Sequence, residues 1–314
     1  IEEALPLVVA HDLGRHRGPP PEVVHRVEHV ERAGIAFLLH GLDPLRVEVA
    51  RAQLAGEKAR RRLDLALGRI AQVALQFEAD IAAITRLVEM IEQAERPILY
   101  TGGGVINSGP GASQLLRELA DATGFPVTST LMGLGAYPAS GQNWIGMLGM
   151  HGLYEANLAM HDCDLMINLG ARFDDRITGR VADFSPGSVK AHIDIDPSSI
   201  NKVVHVDLPI IGDVGHVLED VLKIWKSRGR RTDRAALGKW WEKIEGWKSK
   251  NCLFFRNSDK IIKPQHAMQR LEALTRDHDR YVTTEVGQHQ MWAAQYLHFD
   301  EPNRWMTSGG LGTM

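Results

Sequence analysis

Residues 164–176 read DLMINLGARFDDR. Between Asp164 and Gly170 lies a short run dominated by apolar residues, Leu165 to Leu169. It is too short for a core helix and reads as a strand buried on both faces. Four charged side chains, Arg172, Asp174, Asp175 and Arg176, follow at once. A buried strand cannot absorb them, so they begin where the strand leaves the core.

The surrounding sequence repeats this arrangement. Upstream, ADIAAITRLVEMIEQAERP places Ile81, Ile84, Leu87, Val88 and Ile91 on one helical face, with Asp80 as N-cap and Pro97 ending the helix. ILYTGGG is a strand running into three glycines. GASQLLRELADATG is a helix with Ser113 near its start and Gly124 as its stop signal. FPVTST is a strand, LYEANLAMHDC a helix, VKAHIDID and LPIIGD strands, and HVLEDVLKIWKS a helix. Alternation of this kind with continuous apolar strands predicts an α/β fold, a parallel sheet covered on both faces.

Residues 228–263 read as a polar helical connection anchored by Trp240, Trp241 and Trp247. A second alternation opens at Pro264, with helix PQHAMQRLEALTR, strand YVTTEVG and then RWMTSGGLGTM. The chain opens on Ile1 and stops on a glycine-rich loop, so the expectation is a fragment cut within a second α/β domain. Residues 1–76 stand apart as an atypical segment, expected to be a linker or disordered. Residues 11–75 carry a single aromatic residue, Phe37, and few large apolar side chains to offset chain entropy.

Composition narrows the function. The chain has 314 residues, 44% hydrophobic, with a formal net charge of −3. That charge argues against a nucleic-acid-binding face. No apolar stretch is long enough to span a membrane. Two cysteines, Cys163 and Cys252, in unrelated contexts suit a reducing, cytoplasmic setting.

In an open parallel sheet, ligands bind outside the carboxyl ends of the strands. Five post-strand segments should therefore share one edge: TGGG (101–104), STLMG (129–133), GARFDDR (170–176), DIDP (194–197) and GDV (212–214). Together they suit a dinucleotide. Gly102, Gly103 and Gly104 let backbone N–H groups approach a phosphate. Arg172 and Arg176 present planar forks to phosphate oxygens. Asp194 can accept from ribose hydroxyls, and Asp213 can face an adenine edge. Each signal alone has a plainer reading. The glycines can form a turn, the arginines can pair with Asp174 and Asp175, Asp194 can serve a turn before Pro197, and His151 can be an ordinary loop histidine.

The segments RPILYTGGGVINSG, TSTLMGLGAYP, LGMHG, NLGARFDDRITG, HIDIDPSSINK and EVGQHQMWAAQ, followed by TSGGLGTM, closely resemble the large, catalytic subunits of the acetohydroxyacid synthase (acetolactate synthase) family from about Phe77 to Met314. The resemblance implies thiamine diphosphate and Mg²⁺, and an FAD without a net role in the reaction. The reaction implied is decarboxylation of pyruvate and carboligation to a second 2-ketoacid, pyruvate or 2-ketobutyrate, at the head of branched-chain amino-acid synthesis. It implies a Rossmann-like central FAD-binding domain over 77–227 and the start of a pyrophosphate-binding domain over 264–314. FAD contacts would fall on Gly102 to Gly104, Thr130, Leu131, Met132, His151, Gly152, Gly170, Ala171, Arg172, Asp174, Arg176, Asp194, Ile195, Asp213 and Val214, with Gln290 and Met291 reaching towards the flavin. Thiamine diphosphate would meet Val286, Gly287, Gln288, His289, Gly312 and Met314. Partners implied are further large subunits, as a homodimer or tetramer, and a small regulatory subunit.

Departures from the family pattern matter as well. The pyrimidine-binding domain and its activating glutamate are absent, and the family's magnesium motif would lie past Met314, so neither a catalytic residue nor a metal ligand is named. The isolated chain is therefore expected to be inactive. Residues 11–75 are out of pattern, whether by true divergence or by a shifted reading frame. Glyoxylate carboligase, a flavin-using pyruvate oxidase and a non-catalytic nucleotide-binding module stand as alternatives.

Overall fold

A computed structural model describes residues 81–229 and 231–309. Asp80, the segment 11–75, Gly312 and Met314 lie outside the described residues.

Helix α1 (Ile81–Gln93) buries Ile84, Leu87, Val88 and Ile91, the face its periodicity predicts. Ile81 is the exception: at the first residue of the helix it is 56% exposed. Strand β1 (Pro97–Thr101) follows and is buried at every position. A short helix, α2 (Gly103–Asn107), leads to α3 (Pro110–Thr123). Pro110 opens α3 where a missing N–H costs nothing, and Gly124 closes it in the left-handed conformation at φ 75°. Ser113 lies near the helix start, as expected, and is fully buried.

The remaining elements of the first layer are β2 (Val127–Ser129), β3 (Trp144–Met147), α4 (Tyr154–Asp162), β4 (Leu165–Leu169) and the one-turn α5 (Asp175–Thr178). Then come β5 (Val189–Asp194), β6 (Leu208–Ile211) and α6 (Val214–Ser227). The six strands form one sheet in the order β3-β2-β1-β4-β5-β6, and every neighbouring pair is parallel. Strand β3 has no counterpart among the sequence-based expectations. Gly146 interrupts it at φ 97°, and the β2–β3 register shifts there, which hides the apolar alternation.

Helix α7 (Arg234–Lys248) packs on α4 and reaches the start of β1. Its tryptophans act as anchors. Trp240 is buried and donates to the Pro97 carbonyl at 3.0 Å, Trp241 donates to that of Gly124 at 2.8 Å, and Trp247 meets Trp240 edge-on. Beyond it lie α8 (Pro264–Thr275), β7 (Val282–Thr284), α9 (Gln288–Tyr296) and β8 (Trp305–Thr307). Strands β7 and β8 pair in parallel. A small apolar cluster of Leu134, Met147, Ala293, Ala294, Leu297, Phe299 and Trp305 joins this unit to the loop after β2. Ala139 N–H donates to the Phe299 carbonyl at 3.1 Å across the same junction.

Candidate functional site at the carboxyl edge of the sheet

Because all six strands are parallel, the segments after β1, β2, β4, β5 and β6 emerge at one edge. The strand order reverses between β1 and β4, the position where a doubly wound sheet opens a ligand crevice. Gly102–Gly104 stand on one side of that reversal and Gly170–Arg176 on the other.

The two sides interlock. Gly102 N–H donates to the Leu169 carbonyl at 2.9 Å, and Gly104 N–H to that of Gly170 at 3.0 Å. A Cβ on Gly104 would stand 2.6 Å from Gly170 Cα, and one on Gly102 would strike the Gly170 carbonyl and lie 2.7 Å from Ala171 Cα. Two of the three glycines therefore permit close backbone packing, and their N–H groups are already engaged within the protein. The N–H groups of Gly102 and Gly104, which the sequence offers to a phosphate, are thus directed at backbone carbonyls.

From Gly170 the chain travels sideways. Arg176 O accepts from Met150 N–H at 2.7 Å, and Ile177 packs on Gly149, both just past β3. Strands β4 and β3 are three sheet spacings apart, about 14 Å. The charged segment thus bridges the ends of β1 and β2. Asp174 caps α5 by accepting from Arg176 N–H at 3.1 Å, and this bond, aided by Arg172, holds its carboxyl below the usual carboxylate range. Arg172 and Asp174 approach to 3.8 Å, and Arg176 and Asp175 to 3.2 Å, with the guanidinium side chains 76% and 68% exposed. Such open pairs contribute little to folding and leave the guanidinium forks accessible.

Phe173 sits among these charges yet is buried, and its φ is 53°, the left-handed region. An aromatic residue held there costs about 1–3 kcal/mol and persists only where packing dictates it. The rings of Tyr100, Phe184 and His192 surround it at 5.7, 5.7 and 5.1 Å.

The other candidates take these places. Thr130 N–H bonds to Thr101 O, and its hydroxyl caps the turn Leu131–Gly133, from which Met132 is exposed. His151 is exposed at the β3 exit beside Gly152, and its carbonyl accepts from Gln295 Nε2 at 2.8 Å. Asp194 is mostly buried and accepts from Asp196 N–H at 2.8 Å, while Ile195 beside it is exposed. Asp213 caps α6, accepting from Gly215 N–H at 2.9 Å and from the Ser108 hydroxyl, with Val214 buried behind it. One Asp213 oxygen is thus engaged by the fold.

In the second unit Val286 and Gly287 form the turn from β7 into α9, which opens on Gln288 and His289; Val286, Gln288 and His289 are exposed. Gln290 is buried, and its amide donates to Thr307 Oγ1 at 2.6 Å and to Ser308 O at 2.9 Å. Those bonds tie α9 to the end of β8. Met291 is half-buried. Sequence reasoning passed over Asn168, His192 and Phe173, which support the charged segment from below. The one available signal was a polar Asn inside an otherwise apolar strand.

Comparison with known proteins gives the relatives of this sequence. The thiamine pyrophosphate enzyme central domain matches residues 84–221, and the C-terminal TPP-binding domain of the same enzymes matches residues 285–314. The chain is 46% identical over 231 residues to the acetolactate synthase isozyme 3 large subunit of Escherichia coli (strain K12), covering 74% of this chain and 40% of that protein. The chain is similar to acetolactate synthase large subunits over about three quarters of its length. The large subunit of Haemophilus influenzae is 45% identical over 231 residues, with the same coverage, and the acetolactate synthase of Mycobacterium leprae 40% over 232 residues, 74% of this chain and 36% of that protein. The chain thus spans about 40% of the length of these two large subunits. The central-domain match begins within α1 and ends within α6, enclosing the whole six-stranded sheet, and the second match begins directly after β7. Among the described residues no group of three or more His, Cys, Asp or Glu could hold a metal ion, and no helix is long and apolar enough to cross a membrane.

Proposed function

We propose that this chain is the flavin-binding centre, with part of the thiamine-diphosphate-binding domain, of an acetolactate synthase. Domain limits of 77–227 and 264–314, joined by 228–263, suit this reading. One observation carries it: the reversal of strand order between β1 and β4, flanked by the interlocked glycines and bridged by the Arg172–Arg176 segment. The residues present fit FAD. Two exposed guanidiniums can bind its pyrophosphate, Asp194 stands at a strand end where ribose hydroxyls meet carboxylates, and the buried Thr178 hydroxyl has no partner among the described residues.

Arg172 and Arg176 would neutralise and orient the phosphates. Asp174 would hold the turn that presents them. Thr130–Met132 and His151–Gly152 would line the flavin's side of the crevice, with Met291 approaching from the second unit. Gln290, engaged with β8, would act by fixing α9. Val286–His289 would bind the diphosphate end of the thiamine cofactor. When bound with Mg²⁺, thiamine diphosphate supplies the decarboxylation of pyruvate and its carboligation to a second 2-ketoacid, pyruvate or 2-ketobutyrate. Association into a homodimer or tetramer, a small regulatory subunit and a cytoplasmic setting belong to the same proposal; the free thiols of Cys163 and Cys252 are compatible with that compartment.

The test is a chimera. Residues 81–309 replace the matching stretch of the E. coli isozyme 3 large subunit. Stoichiometric FAD, acetolactate formed from pyruvate, and a flavin that stays oxidised through turnover are expected. A folded chimera without flavin overturns the reading, and one whose flavin bleaches with pyruvate shows an oxidase instead.

A further inference from the structure

Asn168 and His192 are fully buried beneath the charged segment and meet at one carbonyl, with His192 Nε2 also 3.6 Å from Asp194 Oδ2. The Ala171 carbonyl accepts from Asn168 Nδ2 at 2.8 Å and from His192 Nε2 at 2.8 Å. Asn168 Oδ1 in turn accepts from Ala171 N–H at 2.9 Å. A carbonyl only accepts, so His192 carries its proton on Nε2. Its Nδ1 is buried without a partner among the described residues. The imidazole also meets the ring of Phe173 edge-on at 5.1 Å and 74°. Ala171 and Phe173 bracket Arg172, so both neighbours of that arginine are gripped from inside the sheet.

We propose that Asn168 and His192 are positioning residues, which set the direction in which Arg172 and the turn behind it meet a dinucleotide phosphate. The inference rests on the flavin-binding reading above. A purely structural role predicts a different outcome. An unpartnered buried nitrogen weakens the fold. His192→Leu removes it, while Asn168 still satisfies the Ala171 carbonyl. Stability should hold or rise in that variant. The arginine turn, held by one bond where there were two, should lose pre-organisation and bind ligand less well.

FAD affinity is measured by flavin fluorescence in the full chain for wild type, His192→Leu, His192→Gln and His192→Asn, each with a thermal melt. The Gln amide reaches where Nε2 stood, and the Asn amide falls short. His192→Leu and His192→Asn are expected to bind about tenfold more weakly, and His192→Gln within about threefold of wild type. The melting temperature of His192→Leu should not fall. Wild-type affinity in His192→Asn, or weakening in His192→Gln equal to that in His192→Asn, overturns the proposal, and this comparison stands even where the leucine variant does not fold. A wild-type chain that binds no FAD instead overturns the flavin reading itself.

Discussion

Arg172 is the residue at which function and folding separate most cleanly. Its guanidinium is largely exposed and its carboxylate partner stands at 3.8 Å. Arg172→Ala should therefore shift stability by about 0.5 kcal/mol or less. Loss of a charge-assisted phosphate contact, by contrast, should weaken FAD binding roughly ten- to a hundredfold. A flavin titration beside a melt reads both, and unchanged affinity would remove Arg172 from the site. Gly104 shows the converse. Its missing Cβ is what lets the start of α2 touch Gly170, since an added Cβ would lie 2.6 Å from Gly170 Cα. Gly104→Ala should cost about 2–3 kcal/mol in denaturant unfolding through overpacking. A melt equal to wild type would show that the two loops can part without cost.

Among the elements, α8 is held in an unusual way. Glu272 is its one buried residue; exposed faces carry Leu271 and Leu274. The Glu272 carboxylate pairs with Arg280 and stands 3.0 Å from His298 Nδ1, while Arg280 also donates to the His298 carbonyl at 2.7 Å. Both Glu272 and Arg280 are largely buried, so removing one strands the other. Glu272→Ala should destabilise the second unit by about 3 kcal/mol. Hydrogen exchange should quicken in 264–309 while β1, β4 and β5 keep their protection. Equal loss across both regions would mean that the two unfold as one. This clip was not legible in the sequence, because Glu272 occupies a position that helical periodicity assigns to solvent. Helix α7 was legible: its three tryptophans in a polar stretch had to be anchored somewhere, and they are.

At the scale of the whole molecule, the edge of the sheet opposite the crevice contributes to behaviour in alkali. Burial pushes the Cys163 thiol up to about 11 from an ordinary 9.0. The folded value is the higher one, so this contribution is intact below pH 9 and is lost as pH rises towards 11. Lys190 close by is depressed by burial, which acts with the opposite sign as pH rises towards its ordinary value. Unfolding curves between pH 9 and 11 should show a decline that Cys163→Ala makes shallower. An identical decline in both proteins would assign it to other groups.

The sequence by itself determined the α/β class, the strand–helix alternation and the gathering of five polar loops at one edge. These follow from local periodicity and from the rule that parallel strands end on the same side. Only the tertiary structure decided the strand order, the glitch at Gly146 that hid β3, and the purpose of Gly102 and Gly104 in meeting Gly170 and Ala171. It also decided that Asn168 and His192 share the Ala171 carbonyl. Each of these depends on which distant backbones come within a hydrogen bond's length of one another, and no local pattern of residues encodes that distance.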